Sequence, residues 1–187
     1  MTDSATMNLI DNTARGALVP ALERLSTLVR RPLDSGLAKV LLLAIGLQES
    51  ALIHRRQLGG GPARGLWQFE PGSARKGGGV WGVFTHKASR ELVLAWCLEC
   101  GVLCSPAEIY KAIEHDDVFA AGIARLLMWT DAVALPRNRS AAWGMYAKRL
   151  WRPGKPHPEK WPLCWAAAVR YGIEQGWVEL DESGAIK

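Results

Sequence analysis

Between Leu37 and Leu52 the chain reads LAKVLLLAIGLQESAL, and wound at 3.6 residues per turn this stretch is apolar almost all the way round. A helix of that kind has no face to give to water, so the remaining elements must enclose it. Its strongest run, Val40 to Leu47, is far short of the roughly 20 residues that a membrane span needs. The stretch therefore predicts the central helix of a globular core, with Asp34 or Ser35 as its cap. One stripe of that helix holds Ala38, Leu41, Leu42, Ile45, Glu49 and Leu52. Glu49 thus takes a place that the pattern reserves for a core residue. Burial disfavours the charged form, so such a group tends to stay protonated near neutral pH. A protonated carboxylic acid facing a cleft is what general-acid cleavage of a glycosidic bond requires. The same spacing allows a plainer reading, in which Glu49 turns to water or pairs with Arg55 or Arg56.

The segments around this helix are also helical in pattern. Residues 17–31 place Leu18, Ala21, Leu22, Leu25 and Leu28 on one face. Further helices are predicted over 86–103, from the SPAE capping box at Ser105–Glu108, over 117–131 with a stop near Pro136, over 140–151, and over 158–175. Between them, residues 54–82 carry two triple-glycine runs, Gly59–Gly61 and Gly77–Gly79, with Pro62 and Pro71. A loop that long in a compact domain is usually functional or disordered. Only 66–70 and 80–85 could be short strands. At 187 residues, 49% of them apolar, the chain has the size and composition of one domain. The expected fold is mainly α: a single domain over 1–187 with a Gly-rich loop or small β element beside the site.

Several chemistries are set aside on the same residues. Cys97, Cys100 and Cys104 fall at helical spacing in an apolar stretch, where cysteine packs as a small hydrophobe, so no metal is expected even with Cys164. GGGPARG at 59–65 lacks the lysine and the preceding strand of a phosphate-binding loop. No Gly-x-Ser-x-Gly elbow is present, and the four histidines are scattered. No cofactor is implied. The N-terminal segment carries acids early and does not read as a secretory signal. The net charge of +5 is unevenly placed, with basic clusters at 54–76 and at Lys148, Arg149, Arg152, Lys155 and Lys160. Such patches favour a polyanion: nucleic acid, an anionic cell envelope or an acidic protein.

Four segments occur in an order that is familiar. LQES at 47–50 is followed by ARGLWQFEP at 63–71, FAAGIARLLMWTD at 119–131 and AAWGMYAKRLWRPG at 141–154. Together they resemble the lytic transglycosylase and goose-type lysozyme superfamily, over about residues 36–155, with 1–35 and 156–187 as flanking helices. Trp67 stands where that family usually has methionine, and Ala147 and Lys148 follow Tyr146 where it has Asn and Ala. The resemblance implies Glu49 as catalytic acid/base. It implies Ser50, Gln68 and Tyr146 as groups near the acid and the sugar, and Trp67 is an aromatic candidate for packing on a sugar ring. It further implies cleavage of the MurNAc–GlcNAc bond of peptidoglycan by a single glutamate. A small chain of this type is expected to be a bacteriophage product, held in the virion or host cytoplasm and delivered to the periplasm and wall. Peptidoglycan glycan strands are then the partner, with other virion proteins possible. The competing expectation is a non-catalytic virion structural or ejection protein that holds nucleic acid or partner proteins through the basic patches.

Overall fold

The computed structural model describes residues 3–187 and shows a mainly helical, single domain. Helix α1 (Asp3–Thr13) runs through a π-helical turn (Ala14–Leu18) into α2 (Val19–Val29), making one N-terminal rod. The central helix α3 spans Gly36–Ser50, and every residue from Ala38 to Leu47 in it is buried. Ser35 caps it, its hydroxyl accepting the Ala38 N–H at 3.3 Å, while Asp34 instead accepts a bond from the Ser26 hydroxyl. The apolar circumference of α3 is met on one side by α7 (Asp117–Trp129) and on another by α9 (Trp161–Glu174). Of these pairings the one with α9 is the most extensive. It is close because Gly172 carries no side chain: a Cβ there would lie 2.5 Å from the Val40 side chain. Smaller helices α4 (Gly79–Thr85), α5 (Arg90–Glu99) and α6 (Pro106–His115) close the far side, and α8 (Arg139–Trp143) leads into a π-helical stretch, Gly144–Leu150.

Several local expectations are corrected. Residues 80–85 form helix, not strand, because Val80 and Val83 both turn inward at a three-residue spacing. The small β element near 66–70 reduces to isolated bridges that pair Arg64 with Arg56 and with Phe69. The helix expected over 86–103 is confined to Arg90–Glu99, since the chain turns at Cys100 and Gly101 takes a positive φ of 67°. Cys104 therefore lies off the helix, although it stays close to Cys97, whose thiol is pushed up to about 12, chiefly by burial. The capping box at Ser105 is half made. Its hydroxyl accepts the Glu108 N–H at 3.3 Å, but its own N–H donates to the Leu103 carbonyl and leaves Glu108 no donor to reach. Among the described residues no helix is long and apolar enough to cross a membrane.

Candidate active site

The site is assembled at the C-terminal end of α3, where the buried helix reaches the surface. Ala51 and Leu52 both take left-handed backbone angles, φ 55° and 57°, so the chain reverses within two residues. Such a conformation costs a non-glycine residue about 1–2 kcal/mol. The surroundings hold it in place. The Leu52 N–H donates to the Ser50 hydroxyl at 3.1 Å and to the Gly46 carbonyl at 3.3 Å. The Ser50 hydroxyl also lies 2.7 Å from the Leu66 carbonyl and 3.1 Å from that of Gly46. Ser50 is 4% exposed, so its oxygen is spent on backbone groups and it positions the helix end that presents Glu49.

Glu49 is partly buried, and its Oε1 accepts a hydrogen bond from the Tyr146 hydroxyl at 2.7 Å. Burial pushes its carboxyl up to about 7; the Tyr146 bond pulls the other way, and the neighbouring Glu70 charge adds to the rise. Desolvation is the larger effect, and so the acid is half protonated near neutral pH. Tyr146 comes from the π-helical stretch and is 2% exposed. It stacks on Trp161 with ring centroids 5.5 Å apart and planes 8° from parallel, and it is tilted against Trp143 and Trp151. Burial, with Glu49 beside it, also raises the phenol far above its ordinary value, which keeps it a donor. The sequence therefore pairs two side chains 97 residues apart, and the structure brings their polar atoms into contact.

The other sequence candidates lie close by in different roles. Gln68, at φ 47° and 8% exposed, donates its side-chain amide to the carbonyls of Gly65 at 2.8 Å and His54 at 3.0 Å. It braces the loop that follows α3. Trp67 is not available to a sugar ring: it is 0% exposed, and its indole N–H donates to the Leu42 carbonyl at 2.9 Å. The loop returns beneath α3 at this point, so the residue at the methionine position of the motif fills the core. The rings packed around Tyr146 are Trp143, Trp151 and Trp161, of which Trp161 is buried and the other two are partly exposed. Trp151 is tied to the loop by a bond from its indole N–H to the Trp67 carbonyl at 2.9 Å.

Gln48 and Glu70, which lie within the LQES and ARGLWQFEP segments, complete the surroundings. Gln48 donates its amide to the His157 carbonyl at 3.0 Å, while its Oε1 is buried without a partner. Only its place beside Glu49 could have drawn attention to it. Glu70 is exposed and has no ion pair among the described residues, whereas Glu114 is held by Arg56 and Arg64 and Asp117 by Arg55. The second glycine run explains how Glu70 is placed. Its carbonyl accepts the Val80 N–H at 2.9 Å, and a Cβ on Gly79, which sits at φ 48°, would come within 2.0 Å of that carbonyl. Just beyond Glu70 opens a cleft of about 380 Å³ lined by Pro71, Trp81, Ser105, Pro106, Ala107 and Tyr110.

A partly buried carboxyl raised to about 7, a phenol bonded to it and an exposed second acid form an arrangement that can give and take a proton near neutral pH. Among the described residues no group of three or more His, Cys, Asp or Glu side chains is arranged to hold a metal ion. Compared with protein-family models, with curated proteins and with solved structures, the chain finds no match.

Proposed function

We propose that the chain is a lysozyme-like peptidoglycan glycosidase that cleaves the MurNAc–GlcNAc bond with Glu49 as acid and base. The observation that carries this reading is the Tyr146 hydroxyl bonded at 2.7 Å to a carboxyl that burial holds near 7. An acid of that strength can both give and take a proton at neutral pH.

The steps follow from one carboxyl. Glu49 gives its proton to the glycosidic oxygen as the bond from that oxygen to C1 breaks. The muramic N-acetyl carbonyl closes on C1 and carries the positive charge as an oxazolinium, the substrate-assisted route that needs no protein nucleophile. The Glu49 carboxylate then takes the proton of the C6 hydroxyl while that oxygen attacks C1. The ring reopens, a 1,6-anhydro end is released and Glu49 is protonated again. Tyr146 keeps the carboxyl oriented throughout, and its donated bond stabilises the ionised intermediate state. If water is the acceptor, Glu70 is the candidate to hold it, because Glu114 and Asp117 are paired with arginines and Asp116 caps α7 through the Phe119 N–H.

Digestion of purified sacculi, with products read by mass spectrometry, tests the reading. Anhydro-muramic ends that vanish with Glu49→Gln and persist with Glu70→Gln support the intramolecular route. Reducing ends that vanish with either variant assign Glu70 to the water. No cleavage by the folded chain would remove the glycosidase reading. Delivery by a phage particle belongs to the same proposal, and peptide mass spectrometry of purified virions that detects none of the chain would remove that part alone.

A further inference from the structure

Residues 148–160, KRLWRPGKPHPEK, form a strap laid across the neighbours of Glu49. At one end the Trp151 and Arg152 N–H groups both donate to the carbonyl of Tyr146, the residue that holds the acid. At the other, the His157 carbonyl accepts from Gln48, the residue before the acid. Arg152 is fixed at φ 49°, and Pro153, Pro156 and Pro158 limit the freedom of the backbone between the two anchors. Four cations project from this strap: Lys148, Arg152, Lys155 and Lys160, all exposed and none in an ion pair among the described residues. The strap's acid, Glu159, is hydrogen-bonded to His157. By contrast Arg55, Arg56 and Arg64, on the loop beyond α3, are each taken up by Asp117 or Glu114. Two more exposed cations without ion pairs, Arg75 and Lys76, lie at the tip of the turn that leaves Glu70.

Charge left uncompensated on a stiffened segment, beside a reactive carboxyl, is a pre-organised anion rim. We propose that the strap recognises carboxylate or phosphate groups borne along a polysaccharide, so that the site takes an anionic glycan and discriminates against a neutral one. This rests on the reading of Glu49 as a glycan-cleaving acid, and it adds a specificity that this acid alone does not provide. A polysaccharide is favoured over a polynucleotide because the strap's anchors are the two residues bonded to or adjoining the acid, which places the rim along the path of whatever Glu49 protonates. The aromatic rings next to it are packed on one another and on Tyr146, not spread as a stacking platform for bases.

The full chain carrying Glu49→Gln, which leaves substrate uncut, is sedimented with purified sacculi in three forms: native, stripped of phosphate polymers with hydrofluoric acid, and amidated at their carboxyls. Each is repeated with Arg152→Gln, Lys155→Gln and Lys160→Gln added together. Exposed charge contacts each contribute about a 2-fold factor, so the triple change should weaken binding to native sacculi about 10-fold. Amidation alone should cause a similar loss for the unaltered strap if stem-peptide carboxylates are the ligands. Acid stripping should do so if phosphates are. On sacculi lacking the recognised group, strap and altered strap should bind alike. Equal binding across all forms overturns the proposal, and the chemically altered sacculi give that answer even if the triple variant fails to fold. Tighter binding to duplex DNA than to sacculi, lost in the triple variant, also overturns it and assigns the strap to polynucleotide. Digestion by the unaltered chain is run alongside. Charge-dependent sedimentation without cleavage would keep the rim and remove the glycosidase, and cleavage without charge dependence would do the reverse.

Discussion

Replacing Glu49 by glutamine should stabilise the fold, and should do so only at high pH. The ordinary carboxyl value is 4.5, and burial raises that of Glu49 to about 7 in the folded chain. Between those values the unfolded chain has released the proton while the folded chain still holds it. The native state therefore binds more protons than the unfolded one, and stability falls as pH rises through this window. The stabilising share of the protonated carboxyl is complete below about 4.5 and is gone once pH passes about 7. At about 1.4 kcal/mol per pH unit, the gap amounts to about 3 kcal/mol, an upper figure because Glu49 is not fully enclosed. Glutamine is close in shape, can still accept the Tyr146 bond and does not ionise. Urea unfolding of both chains should thus give nearly equal stabilities at pH 4.5 and a mutant advantage approaching 3 kcal/mol at pH 8. For a chain of this length that is a rise of roughly 6–12 °C in Tm. A constant difference at both pH values would refute the reasoning. So would a loss of stability at pH 8, which would make Glu49 a member of a structural ion pair.

Other changes separate the acid from its support. Tyr146→Phe removes the bond that lowers the Glu49 value, so the basic limb of the activity profile should move up by about 1 pH unit. A limb that stays in place in kcat/KM would show that the phenol does not reach the carboxylate. Ser50→Ala leaves the Leu66 carbonyl without its partner and loosens the left-handed pair; chemical denaturation should show a loss of about 2 kcal/mol with the limb unmoved. Gly79→Ala drives a Cβ to within 2.0 Å of the Glu70 carbonyl at a positive φ, and thermal melting should fall by an amount equivalent to more than about 2 kcal/mol. A mutant as stable as the parent would mean that this turn is not closed in solution.

The central helix and its acid were legible because both depend on local periodicity. An apolar circumference can only be buried, and a carboxyl on its stripe can only be desolvated or displaced. Tyr146 was legible through the order of motifs alone, since no local rule relates it to a residue on α3. The place of Trp67 is hidden in the sequence for the same reason. Its segment looks like an open loop, and only the return of that loop beneath α3 shows the indole sealed on the Leu42 carbonyl. The strap reads in the sequence as a basic cluster and not as a partner of Gln48, because their bond joins residues 109 apart and neither end has a distinctive pattern. Residues 80–85 were ambiguous in principle. A run as short as VWGVFT satisfies strand and helix alike until the inward positions of Val80 and Val83 are known.

The pairing of α3 with α9 has a consequence for the timing of synthesis. Some 110 residues separate the end of the acid-bearing helix from the start of its principal neighbour. While the chain is being made, α3 leaves the ribosome early and must wait for Trp161–Glu174 before its most extensive face is covered. At about 5–20 residues per second that interval is roughly 6–20 seconds, during which a strongly apolar helix is left to chaperones or to aggregation. Tyr146 and the strap also arrive late, so the carboxyl acquires its Tyr146 bond only after some 100 further residues have been made. A nascent chain stalled before residue 146 would hold every residue of the helix that carries Glu49 and lack the phenol that orients its carboxyl.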